Sequence, residues 1–180
     1  MPEPTNVAAE DAALCSRRLS ELIGGYQASA AIGAFARLGV ADVLGDDAVT
    51  SAELAARLGA HEDAHARLLQ ATLDVGLFTA DDQGRYRLTA LGRQLRADAP
   101  GSMRRYAIVA TEDWRWNAYC HLDRTLRTGE PGFVTAHGCR LWDYLAGHPD
   151  AAASFEESMS RIGAVRDQAV AAAVDLGRFR

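Results

Sequence analysis

The chain has 180 residues, 48% of them apolar and 24% charged, which is enough to bury the core of one domain and argues against a disordered chain. Its net charge is −5, and its basic residues are scattered arginines with no lysine. That balance excludes an anionic surface, nucleic acid or membrane, as the expected partner.

The first residues, Met1-Pro2-Glu3-Pro4-Thr5-Asn6, show neither the basic nor the apolar region of a signal peptide. Residues 1–10 are expected to be a flexible tail. Two helices should follow. The first spans 11–23, with Ala12, Cys15, Leu19 and Leu22/Ile23 at helical spacing. Gly24-Gly25 should interrupt it, and a second should span 26–38, with Ala28, Ala31, Ile32, Phe35 and Leu38 on one face. Two consecutive apolar stripes need a surface to cover them, and a second copy of the chain is a natural source.

Short, well-punctuated elements come next. Residues 39–44 predict one turn of helix. Thr50-Ser51-Ala52-Glu53 is a capping box, in which the threonine oxygen and the glutamate carboxylate each satisfy a free backbone amide. It opens a helix over 52–58 that Gly59 closes. A third helix is predicted over 62–75. Residues 77–80 and 85–88 flank the Asp- and Gly-rich turn 81–84 and read as a β-hairpin. Thr89 then caps a helix over 90–95. Helices followed by a hairpin give the order of a winged helix-turn-helix, so the expected fold is mainly α: a helical dimerisation domain, over 11–98, containing that winged unit and one small hairpin.

The segment 99–180 is predicted to be helical over 102–111, 114–128, 140–146 and 151–162, with a Gly/Pro loop over 130–139. A last apolar pattern runs through Val165, Ala169, Ala172 and Leu176. The three cysteines, Cys15, Cys120 and Cys139, are widely spaced and odd in number, as reduced thiols of a cytoplasmic protein would be. No apolar run is long enough to span a bilayer.

Three stretches together resemble the bacterial and plant-type O-methyltransferases that act on polyketides and phenolics. They are 25–55, from Gly25-Tyr26-Gln27 to Thr50-Ser51-Ala52-Glu53-Leu54-Ala55; the winged segment 67–92; and Leu141-Trp142-Asp143-Tyr144-Leu145 with Pro149 and Phe155-Glu156-Glu157-Ser158-Met159. The resemblance implies an intertwined homodimer and part of a pocket for a small aromatic acceptor. It implies S-adenosylmethionine as the donor in the full-length family. In that family a segment like 165–176 leads into a Rossmann-like domain, whose glycine-rich turn approaches the donor. No Gly-x-Gly signature occurs in these 180 residues, so this chain alone is expected to bind no donor and to supply no catalytic or cofactor-binding residue. By resemblance, Trp116, Trp142, Phe155 and Met159 are the candidate acceptor contacts.

Other motifs have plainer readings. His61-Glu62-Asp63-Ala64-His65 matches the zincin pattern H-E-x-x-H. It falls at a helix start, with an extra carboxylate in the motif and no obvious third ligand, so no metal site is expected. Glu62 and Asp63 suit the positive end of a helix. The winged unit raises duplex binding. Its third helix, however, sets Glu62, Asp63 and Asp74 against Arg67, and its wing sets Asp81 and Asp82 against Arg85 and Arg87. Such a surface gives a phosphate backbone little to hold. His121 and His137 are candidate pocket donors, with a helix-surface and a loop position as the plainer readings, and Arg104-Arg105 reads as a solvated face. The alternative to the methyltransferase reading is a standalone dimeric winged-helix module, a regulator or a small-molecule scaffold.

Overall fold

The structure, a computed structural model, describes residues 5–173 of the backbone and the side chains between 11 and 160. Leu176, the end of the last apolar pattern, lies outside the described residues. The chain opens with α1 (Thr5–Leu38), one helix of 34 residues that starts inside the expected tail. The predicted break at Gly24-Gly25 is absent. Each glycine costs a helix roughly 1 kcal/mol relative to alanine, but a helix stops at glycine when that residue turns left-handed. Neither of these does. Gly39, with φ +69°, is where the helix ends.

Among the described residues, the C-terminal part of α1 alone enters the core, through Ala31, Phe35 and Ala36. Further back, Leu19, Leu22, Ile23 and Tyr26 are each more than half exposed. At about 100° per residue this second stripe points to the side of the helix roughly opposite Phe35. One helix thus carries two apolar faces, one buried in its own domain and one left outside it.

The elements expected of a winged unit follow in order: α2 (Val40–Leu44), β1 (Val49–Thr50), α3 (Ser51–Leu58), α4 (Glu62–Ala71), β2 (Phe78–Ala80), β3 (Arg85–Leu88) and α5 (Ala90–Arg93). β1 is a strand the sequence reading lacks. It pairs antiparallel with β3, so the sheet order is β1-β3-β2 rather than a lone hairpin. Two residues are too few for alternation to show. Thr50 ends β1 and also caps α3: its hydroxyl accepts from the Glu53 amide at 3.2 Å, and the Glu53 carboxylate accepts from the Thr50 amide at 2.8 Å. α4 ends earlier than predicted. The Thr72 hydroxyl donates to the Leu68 carbonyl at 2.8 Å, and the chain tightens into a 3-10 turn over Leu73–Val75. Thr89 caps α5 by accepting from the Gly92 amide at 3.1 Å while donating to the Gly76 carbonyl.

Phe35 and Phe78 meet edge to face with ring centres 5.3 Å apart. Around them Leu44, Leu54, Leu69, Tyr86 and Leu88 complete a core shared by α1, α2, α3, α4 and the sheet. Truncating one of its buried leucines to alanine costs about 2–5 kcal/mol.

α6 (Arg104–Ala110) packs across α1 and adds Ala107 to the same core, although it lies beyond residue 98. Gly33 permits the approach, since a Cβ there would fall 1.9 Å from Thr111 Oγ1. Arg104-Arg105 is not a solvated face. Arg104 donates to the Ala36 carbonyl at 2.9 Å and pairs with Asp42, and Arg105 pairs with Glu157 at 2.6 Å.

Candidate functional site

The remaining elements are α7 (Asp113–Tyr119), α8 (Leu122–Thr128), α9 (Gly132–His137), α10 (Leu141–Gly147) and α11 (Pro149–Ala173). Two differ from expectation. The helix predicted over 114–128 is broken at Cys120 and His121, so α7 and α8 are separate. The predicted loop over 130–139 contains α9, started at Pro131 and stopped by Gly138 at φ +71°. A helix of six residues bounded by Gly and Pro has too short an apolar period to stand out from a loop. At the other end α11 runs as one helix through the pattern expected over 151–162 and into the next as far as Ala173.

α9 brings together rings that are distant in sequence. Trp114 of α7 stacks on Tyr144 of α10 at 5.9 Å and meets Phe133 of α9 and Phe155 of α11 at 6.2 and 6.4 Å. Phe133 meets Tyr144 at 5.5 Å, and Tyr144 stacks on His148 at 3.9 Å. His137 is neither a loop histidine nor a free donor. It packs against Phe133 at 4.5 Å, and its Nε2 lies 2.7 Å from the Trp114 carbonyl. Phe133 and Tyr144 were missed as members of this cluster, because the signal placing them is tertiary. His121 is half-buried just before α8, and its carbonyl accepts from the Thr125 hydroxyl.

Beside this cluster α10 and α11 enclose an open groove of about 660 Å³. Trp142, Leu145, Phe155 and Met159 line it, with Glu156 and Ser160 as its polar members. Trp142 is 69% exposed and meets Phe155 edge to face at 5.9 Å. Three of the four candidate contacts therefore share one groove. Trp116 does not. It lies two positions from Trp114 and so on another side of α7, half-buried and outside the groove lining.

The zincin-like residues are arranged otherwise than a metal site requires. His61 is the exposed residue before α4, while His65 is 5% exposed with neither ring nitrogen bonded. Burial holds the His65 imidazole below its usual value. The wing arginines are turned onto the chain itself, Arg85 donating to the Ala48 carbonyl and Arg87 to that of Asp46.

The described residues also do not fit a site for S-adenosylmethionine. Their strands are two to four residues long and antiparallel, and none opens into a glycine-rich turn where backbone amides could face a ligand. No described helix is long and apolar enough to cross a membrane.

The model of the O-methyltransferase dimerisation domain matches residues 20–98. The chain carries an O-methyltransferase dimerisation domain. This domain takes in the exposed stripe of α1 from Leu22 onward and the whole winged unit, and the groove lies C-terminal to it. Among curated proteins the chain is 34% identical over 157 residues to the O-demethylpuromycin-O-methyltransferase of Streptomyces alboniger, covering 87% of this chain and 41% of that protein. Its fold matches the crystal structure of LaPhzM with a TM-score of 0.82 at 32% identity, over 90% of this chain and 48% of that one. It also matches NcsB1, a neocarzinostatin-biosynthesis O-methyltransferase solved with S-adenosylmethionine and 2-hydroxy-5-methyl naphthoic acid. There the TM-score is 0.62 at 35% identity, over 74% of this chain and 41% of that one. The chain thus spans about half the length, or less, of the relatives it matches.

Proposed function

We propose that this chain is the dimerisation and acceptor-binding part of an S-adenosylmethionine-dependent O-methyltransferase of the cytoplasm, acting on an aromatic polyketide or phenol. The observation that carries the reading is the groove of Trp142, Phe155 and Met159 in the same chain as, and C-terminal to, an O-methyltransferase dimerisation domain. Flat apolar walls with a few polar groups suit a planar acceptor. The relatives' acceptors, a naphthoic acid among them, are of that kind. The role of these residues is to hold the acceptor ring and exclude water from one of its faces, a positioning contribution to methyl transfer. The donor site and the base that takes the phenol proton belong to polypeptide outside the described residues, and the chain by itself is expected to bind no labelled S-adenosylmethionine.

The partner subunit is a second copy, covering the outer stripe of Leu19, Leu22, Ile23 and Tyr26. Light scattering should give a dimer, and Leu22→Asp with Ile23→Asp a monomer; a monomeric wild-type chain overturns that half of the reading. For the acceptor half, Trp142→Ala and Phe155→Ala should each weaken binding of 2-naphthol several-fold by NMR titration. Unchanged affinity in both variants removes the groove from the acceptor site.

A further inference from the structure

Ala152, Phe155, Glu156, Met159 and Ser160 follow one another at helical spacing, so a single face of α11 looks into the groove. Four of these positions are apolar or neutral. A carboxylate in the middle of such a stripe departs from the pattern that buries a helix face. Glu156 forms no ion pair or hydrogen bond among the described residues, whereas its neighbour Glu157 pairs with Arg105 at 2.6 Å. It is also the one charged side chain among the described residues lining the groove. Trp142, whose ring is largely exposed, lines the same groove. An indole face attracts cations, as a carboxylate does. Both features favour a positive group, and none of the described lining residues is a cation that could pair with an anion.

We infer that the groove selects aromatic acceptors bearing a protonated amine over aromatic carboxylates, with Glu156 as the residue that sets the preference. This deepens the reading of the groove as the acceptor site and rests on it. The attraction and the repulsion each act at a partly hydrated position, where one charge pair changes affinity by a few-fold; together they should separate the two ligand classes by about 10-fold.

The test is an NMR titration of the full chain with three probes of one shape: 2-naphthylmethylamine, 2-naphthalenemethanol and 2-naphthoate. The indole N–H signal of Trp142, identified by its loss in Trp142→Phe, is followed throughout. Expected is an affinity order of amine, alcohol, carboxylate, with about 10-fold between the ends at low salt and less at high salt. Glu156→Gln, at an exposed position, should keep the fold and bring the amine and the carboxylate level. Equal binding of the three probes, tighter binding of the carboxylate, or a preference that survives Glu156→Gln overturns this inference while leaving the acceptor groove standing. Failure of every probe to move the Trp142 signal sinks the groove reading and the inference together.

Discussion

His137 Nε2 lies 2.7 Å from the backbone carbonyl of Trp114. A carbonyl only accepts, so Nε2 carries the hydrogen. The bond ties the last residue of α9 to the first turn of α7 and holds Phe133 and Tyr144 in the ring cluster. His137→Ala loses that bond and two ring contacts, with Phe133 and Tyr144, and should destabilise the chain by about 1–2 kcal/mol in denaturant unfolding. In the wild type, ¹⁵N NMR should find the Nε2–H tautomer; the other tautomer would contradict the contact.

Gly132 is where α9 meets α7. A Cβ there would come within 2.4 Å of the Ala118 carbonyl oxygen, a backbone atom that cannot swing aside. Gly132→Ala should push α9 outward at a cost of about 1–3 kcal/mol and weaken the near-ultraviolet circular dichroism of Trp114. Gly147→Ala, with nothing within 4 Å of the new methyl, is the control and should leave that signal unchanged.

His65 makes folding sensitive to acid. Burial keeps its folded-state value below the ordinary one, so the unfolded chain takes up a proton that the folded chain resists. Its contribution to stability is therefore fully present above about pH 6.5 and is lost as the pH falls below that value. His65→Leu should flatten the dependence of the unfolding midpoint between pH 7 and pH 5. Because neither ring nitrogen has a partner to lose, the variant should be at least as stable as the wild type at pH 5. A slope unchanged by the substitution would place the acid sensitivity elsewhere.

Thr50 and Glu53 form a second pH-dependent pair, of opposite kind. Hydrogen bonds from the Thr50 amide and hydroxyl hold the Glu53 carboxyl below the usual carboxylate value. The stability this adds is present above the ordinary value and lost as the pH falls through the lowered one. Thr50→Ala should cost about 1 kcal/mol at neutral pH through the lost cap. It should also raise the Glu53 titration midpoint in carboxyl-carbon NMR.

What could be read locally was legible. The capping box at Thr50, the cap at Thr89, the hairpin turn with Asp81 Oδ1 accepting from the Gln83 and Arg85 amides, and Gly59 as a stop all depend on residues within four positions of one another. The same locality misled at Gly24-Gly25. Two glycines look like a break, but they end a helix only by taking a conformation that these two do not take. The amphipathic stripes of α1 were visible too, because a 3.6-residue period is printed in the residues themselves.

Tertiary structure alone decided which rings meet and which arginines are free. Trp114, Phe133 and Tyr144 come from three helices, and no spacing rule relates them. Trp116 is a candidate acceptor contact by resemblance, and only the fold places it outside the groove lining. Arg85, Arg87, Arg104 and Arg105 have ordinary surface chemistry in sequence, and only the fold brings carbonyls and carboxylates against them. A pattern along one helix is set by its own period and survives without the rest of the molecule. A contact between helices depends on how each is aimed, and that follows from packing the whole core.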